Sequence, residues 1–183
     1  MRTFLFSALL IFTVIVSASA QILPKNFWKT LQDNSMEFVM PELYLQAPVL
    51  PNSDVAYDFA VVSKDRQIEI RYTIQPIDRK VKNGNGLSEG MLQAMALNIS
   101  GGTMAELNAF PAESVKHEFR ADKGYTAMVP VRSEFGNGYN MCMITMIHKE
   151  NAADAYTFYL FNDPQILVKA IKNYAIFHAL KFK

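Results

Sequence analysis

Tyr139-Asn140-Met141-Cys142-Met143-Ile144-Thr145-Met146-Ile147-His148 and, after a polar break at residues 151–154, Ala155-Tyr156-Thr157-Phe158-Tyr159-Leu160-Phe161 form the stretch on which the fold turns. Side chains along a strand alternate between the two faces of a sheet. Met141, Met143, Thr145 and Ile147 fall on one face and Cys142, Ile144 and Met146 on the other, so both faces are largely apolar. Strands of this kind are central strands covered on both sides.

Working outward, residues 125–131 supply a further strand, with Gly136-Asn137-Gly138 as the turn that leads into the central pair. Upstream, residues 55–62 and 67–75 are β-rich and are separated by Ser63-Lys64-Asp65-Arg66, which predicts a hairpin. In its second strand Ile68, Ile70, Tyr72 and Ile74 alternate with Gln67, Glu69, Arg71, Thr73 and Gln75, the pattern of a strand with one wet face. Residues 78–86 carry three cationic side chains and then Asn83-Gly84-Asn85-Gly86, and read as an exposed turn or flap.

The covering helices follow from periodicity. Met91, Leu92, Met95, Ala96 and Ile99 recur at three and four residues. Ser88 is the expected cap of that helix, Leu87 with Leu92 its hydrophobic staple, and Gly101-Gly102 its end. Pro111 suits the first position of a short helix over residues 112–120, with Val115 and Phe119 on one face. Asp163-Pro164 opens a closing helix in which Leu167, Ala170, Ile171, Tyr174, Phe177 and Leu180 fall at helical spacing. The order β-β-α-α-β-β-β-α is that of an α/β/α sandwich (class α/β, in the α+β sense) around a largely antiparallel sheet.

The chain opens with Arg2 and an apolar run from Phe4 to Val16, and reaches Ala18-Ser19-Ala20 before Gln21. That is the order of a cleavable export signal over residues 1–20, with a run of about 13 residues where a spanning helix needs roughly 20. No cysteine follows the cleavage site to take a lipid, and no stable membrane insertion is expected after cleavage. The 18 basic and 17 acidic side chains come into balance once Arg2 is removed, which gives no electrostatic case for nucleic acid. Residues 21–51 are assigned as an N-terminal arm and 52–183 as a single α/β domain. The one cysteine, Cys142, has no internal partner, so the apolar core alone must hold the fold. Its place in an apolar run reads as a small buried hydrophobe.

With its early hairpin, midchain helix, three-stranded meander and end Leu180-Lys181-Phe182, the chain resembles the PsbP-like fold superfamily over roughly residues 36–183. That superfamily contains the extrinsic PsbP subunit of photosystem II and several bacterial exported proteins. Residues 115–124, Val-Lys-His-Glu-Phe-Arg-Ala-Asp-Lys-Gly, and 133–139, Ser-Glu-Phe-Gly-Asn-Gly-Tyr, are also similar to exported bacterial proteins of no known activity. The resemblance implies a non-enzymatic protein that binds another protein or assists an assembly. No photosystem-binding motif can be matched residue by residue, so that role is not carried over.

No catalytic, cofactor-binding or metal-ligating residue is assigned. His117, Glu118 and Asp122 are of the right types for a metal or a general base, but on a helix His117 points about 100° away from the other two. His148 beside Lys149-Glu150 reads as a surface imidazole, and His178 as a residue of the closing helix's last turns. Met141 and Met143 raise a soft-metal site, with core filling the stronger reading. G-x-S-x-G, P-loop and dinucleotide motifs are absent. Residues 21–51 hold Phe27, Trp28, Phe38, Tyr44 and Leu45 among four prolines and cannot form one long helix. They are expected to lie along the domain as an edge strand and covering arm. The functional reading of the same segment is a partner-binding arm, with Phe27, Trp28 and Tyr44 as the contact residues and an unidentified protein as partner. The alternative is a small-molecule carrier or enzyme, with a pocket between hairpin and meander near Tyr72, Tyr125 and Tyr156.

Overall fold

The structure is a computed structural model that describes residues 23–77, 87–174 and 176–183. The expected export leader (residues 1–20) and the expected turn or flap over residues 78–86 lie outside the described residues. Helix α1 (Lys25–Asp33) leads into the short strand β1 (Met36–Phe38) and then β2 (Tyr44–Ala47). The hairpin follows as β3 (Phe59–Ser63) and β4 (Ile68–Pro76), then helix α2 (Ser88–Ser100) and the two-residue β5 (Asn108–Ala109). Helix α3 (Ala112–Ser114) runs into a π-helical turn (Val115–Phe119), after which come β6 (Lys123–Pro130), α4 (Ser133–Gly136), β7 (Met141–Lys149) and β8 (Ala153–Phe161). Helix α5 (Pro164–Tyr174), a 3-10 turn (Ile176–His178) and β9 (Leu180–Phe182) end the chain.

Seven strands form one sheet in the order β2-β3-β4-β8-β7-β6-β5, antiparallel throughout, and β1 pairs with β9 in a separate ribbon. Its centre is the doubly apolar pair: β7 and β8 run side by side from Met141↔Phe161 to Lys149↔Ala153, and every residue of β8 is buried. On one face, α2 sets Leu92, Met95, Ala96 and Ile99 against Cys142, Ile144, Met146, Tyr156 and Phe158. On the other, α1, α5, the π turn and the β1–β9 ribbon cover Ile70, Tyr72, Ile147 and Tyr159. The result is the expected α/β/α sandwich. Gly101 ends α2 with φ 75°, and a side chain there would meet Arg132 Cδ at 2.8 Å. Backbone freedom and close packing therefore both require glycine at that position.

Four local expectations are corrected. Residues 21–51 do enter the sheet as its edge strand and cover apolar surface, but they do so with a helix: Pro24 stands at its N-cap, and Phe27 and Leu31, one turn apart, bury the apolar side of α1. The staple at α2 does not form, because Leu87 is exposed, and Ser88 caps nothing, because it is the first helical residue with its side chain turned inward. The closing helix stops at Tyr174, and the 3-10 turn carries His178; Leu180 and Phe182 continue into β9, paired with Phe38 and Met36. The fourth concerns β4, whose supposed wet face is buried: Glu69, Arg71 and Thr73 are 8%, 1% and 6% exposed.

The reason lies in what covers that face. The Arg71 guanidinium sits between the rings of Tyr57 (4.8 Å) and Phe135 (4.7 Å), donates from Nε to Glu69 Oε1 (2.6 Å), and donates from Nη1 to the Phe135 carbonyl (2.6 Å). Phe135 belongs to α4, a single turn that packs down over β4 rather than leaving it to solvent. Arg71 Nη2 is buried without a hydrogen-bond partner among the described residues, so Glu69, the Phe135 carbonyl and the two rings carry the compensation for this charge. Breaking a buried pair costs about 3–5 kcal/mol, whereas replacing both partners with apolar groups is often nearly neutral. Glu69→Ala is therefore expected to lower unfolding stability by about 3 kcal/mol or more. Glu69→Leu combined with Arg71→Met should recover most of that loss, as read by urea denaturation of the three proteins.

Candidate functional site

Of the three residues assigned to partner contact, two are core residues. Phe27 is 1% exposed and stacks on Phe59 at 4.6 Å with Phe38 edge-on at 5.6 Å. Tyr44 is also buried, on the inward side of β2. An amphipathic helix turns about 100° per residue, so burying Phe27 swings its neighbour Trp28 outward, to 55% exposure. Of the three, Trp28 alone is exposed.

The exposed apolar surface of this part of the chain lies elsewhere. Val39, Leu43, Leu45, Val49 and Leu50 are 40–63% exposed, five of the eleven exposed large apolar residues among those described. They occupy β2 and the segments on either side of it, at the open end of the sheet, where β2 pairs with β3 alone in the strand order. Alternation along β2 puts Leu45 on the face opposite Tyr44: Tyr44 is buried in the core, while Leu45, on the same face as Ala47, is exposed. Leu43, just before β2, has φ 64°, a left-handed backbone that a branched side chain adopts only under constraint, and its carbonyl accepts from Lys64 N at 3.0 Å.

His148 is not at the surface. It is fully buried, with Nδ1 2.6 Å from Asp154 Oδ1 and 3.0 Å from Ser88 Oγ, while Ser88 Oγ donates to the same Asp154 oxygen at 2.9 Å. The residue types are those of a nucleophile, base and orienting acid, but the geometry is different. In such a relay the serine and the carboxylate engage opposite ring nitrogens. Here both meet Nδ1, and Nε2 is buried without a hydrogen-bond partner among the described residues. What the cluster can do is hold: it ties the first turn of α2 to the β7–β8 hairpin. Tyr156 reaches Asp154 Oδ2 at 3.5 Å, and burial, followed by the Asp154 charge, pushes its hydroxyl pKa well up. The sequence hides this arrangement because Ser88 is 60 residues from its ring partner.

His117, Glu118 and Asp122 are not brought together. His117 pairs with Glu113 at 3.3 Å in solvent, Glu118 Oε2 meets His178 Nε2 at 2.6 Å, and Asp122 Oδ2 accepts from Glu150 N at 2.8 Å. No group of three or more His, Cys, Asp or Glu among the described residues is placed to hold a metal ion. Met143 is buried in the core. Cys142 is fully buried as well, and desolvation pushes its thiol pKa well above the ordinary range.

Open clefts mark the surface of the described residues. One, of ≈ 370 Å³, lies between the β2–β3 edge and the turn before β7, lined by Gln46, Leu50, Arg66, Glu69, Asn137 and Tyr139. Burial and the Glu69 charge raise the Tyr139 pKa, and its hydroxyl donates to the Arg66 carbonyl at 3.0 Å. A second, of ≈ 300 Å³, lies between the β3–β4 turn and α5, and a third, of ≈ 400 Å³, between residues 39–42 and His178. The tyrosines expected to mark a pocket do not line any of these. Tyr72 and Tyr156 are in the core, and the Tyr125 hydroxyl donates to Glu89 at 2.6 Å, the bond that chiefly raises its pKa.

Removing Asp154 would take away the buried acceptor that Ser88 Oγ and His148 Nδ1 share and leave those two groups only each other, at a cost of about 1–3 kcal/mol. Asp154→Ala is therefore expected to destabilise by about 2 kcal/mol or more, and Ser88→Ala, which leaves the ring and carboxylate paired, by about 1 kcal/mol. Thermal and urea unfolding of the two variants checks the order, and equal losses would reject the shared-oxygen geometry.

Among the described residues no helix is long and apolar enough to cross a membrane. No protein-family model matches the sequence, and no curated protein matches it. Among solved structures the chain is similar to the solution structure of cyanobacterial PsbP (CyanoP) from Synechocystis sp. PCC 6803, with a TM-score of 0.50 and 14% identity over 82% of this chain and 88% of that one. At that identity the likeness speaks to the fold alone. Together with the antiparallel sheet and its two helical layers, it establishes that this chain has a PsbP-like fold.

Proposed function

We propose that this is an exported, non-catalytic protein that binds another protein or assists an assembly, and that the partner docks along β2 and its flanks. The observation that carries the reading is the apolar strip of Val39, Leu43, Leu45, Val49 and Leu50 at the open edge of the sheet. Edge strands invite pairing with another chain, and proteins ordinarily blunt them with charge or cover. Here Leu45 faces outward on the strand itself, and Leu43 is held at the strand entrance in a strained backbone. A partner laid on this edge gains backbone pairing and apolar burial together. The leader supports the compartment, since its apolar run is the length of a signal core and ends in small residues before Gln21.

Two experiments test the two halves. N-terminal sequencing of the protein recovered from the exported fraction should begin at Gln21; recovery only from the cytoplasm with Met1 retained would reject export. Leu45→Asp with Val49→Asp changes only exposed side chains, so the unfolding midpoint should stay close to that of the parent. Crosslinked capture of a specific partner should fall at least tenfold. Undiminished capture by the variant would remove β2 as the docking edge.

A further inference from the structure

We propose that the cleft between the β3–β4 turn and α5 is a binding site for a small aliphatic carboxylate. The cleft's walls are apolar: Leu43, Tyr44, Ile68, Ile166 and Ala170 line it, with Ile68 and Ala170 themselves buried. Its rim is cationic. Lys64 on the turn and Lys169 on α5 both line the cleft, and neither side chain forms an ion pair or hydrogen bond among the described residues. An alkyl chain on the apolar walls would leave its head group at these two ammonium groups, which are compact charges on flexible stems and can close on it.

Asp65 is the one carboxylate in the lining, and it is engaged by its own turn. Its Oδ1 accepts from Ser63 Oγ at 2.6 Å and from Gln67 N at 3.1 Å. Those two hydrogen bonds, with a smaller contribution from Lys169, hold its pKa below the usual carboxylate value. The rim therefore presents two ammonium groups against one carboxylate, an excess suited to a single negative charge. Size narrows the class further. At ≈ 300 Å³ the cleft is at the lower end of the roughly 300–1,000 Å³ typical of small-molecule sites, which suits a short chain.

Leu43 adds an independent sign of construction. Its left-handed backbone is disfavoured for a branched residue, yet the Lys64 N to Leu43 carbonyl bond holds it at the mouth. Strained positions that the surroundings over-determine cluster at binding sites. The site is separate from outward-facing Leu45 and Val49, so the ligand and the docked partner are tested by different substitutions.

The full mature chain is titrated with octanoate, octanol and octylamine by isothermal calorimetry and by methyl NMR. Octanoate is expected to bind at least tenfold more tightly than either uncharged octanol or cationic octylamine, with shifts confined to Leu43, Ile68, Ile166 and Ala170. Lys64→Gln with Lys169→Gln, both exposed, should keep the parent's unfolding midpoint and weaken octanoate at least fivefold while leaving octanol unchanged. Equal affinity for the three probes, shifts elsewhere on the protein, or an unaffected double variant would each overturn the assignment.

Discussion

Both faces of β7 and β8 must be kept from water, and most of the architecture follows from that requirement. Two adjacent nine-residue strands with apolar side chains on either side cannot sit at a sheet edge or beneath a single layer. They take the middle, with β4 on one flank and β6 on the other, and they demand helices above and below. The amphipathic α2 meets most of one demand, with Val55 and Phe135 of α4 completing the cover. On the opposite face α5 shares the cover with α1, the π turn and the β1–β9 ribbon, so the first and last described elements lie on the same side.

Strands and the two long helices are legible in the sequence because periodicity reports on one element at a time. Central strands, the hairpin at residues 63–66, the glycine end of α2 and the early edge strand all follow from local pattern or turn chemistry. What is not legible depends on partners far along the chain. The alternation in β4 correctly assigns sides, but whether the polar side meets water is decided by Tyr57 and Phe135, 14 and 64 residues away, and a cation between two rings can be buried there. His148 next to Lys149 and Glu150 has the local look of a surface residue, and only Ser88 and Asp154 make its burial tolerable. The helical spacing of residues 167–180 likewise runs past the real end of α5, because the pairing of Leu180 and Phe182 with β1 wins over further helix.

The same distinction governs the site. Aromatic residues of the N-terminal segment attract a binding role because such residues dominate interfaces, yet large rings are also what a core most needs. Phe27 and Tyr44 go to the core, and the outer surface is left to less conspicuous aliphatics. Within β2 the burial of Tyr44 and the exposure of Leu45 are one event, since neighbouring residues of a strand take opposite faces.

That choice also fixes the chemistry at the start of β2. The strand enters through the left-handed turn at Leu43, and the hydrogen bond that stabilises the turn comes from Lys64 in the opposite hairpin. Docking the edge strand therefore brings a lysine, a bent apolar residue and the flank of α5 into one place, with Lys169 across the gap. A covering segment that lay straight along the sheet would leave no cleft there. Because Leu43 belongs both to the exposed strip and to the cleft mouth, a molecule held beneath it would stabilise the turn from which the strip begins.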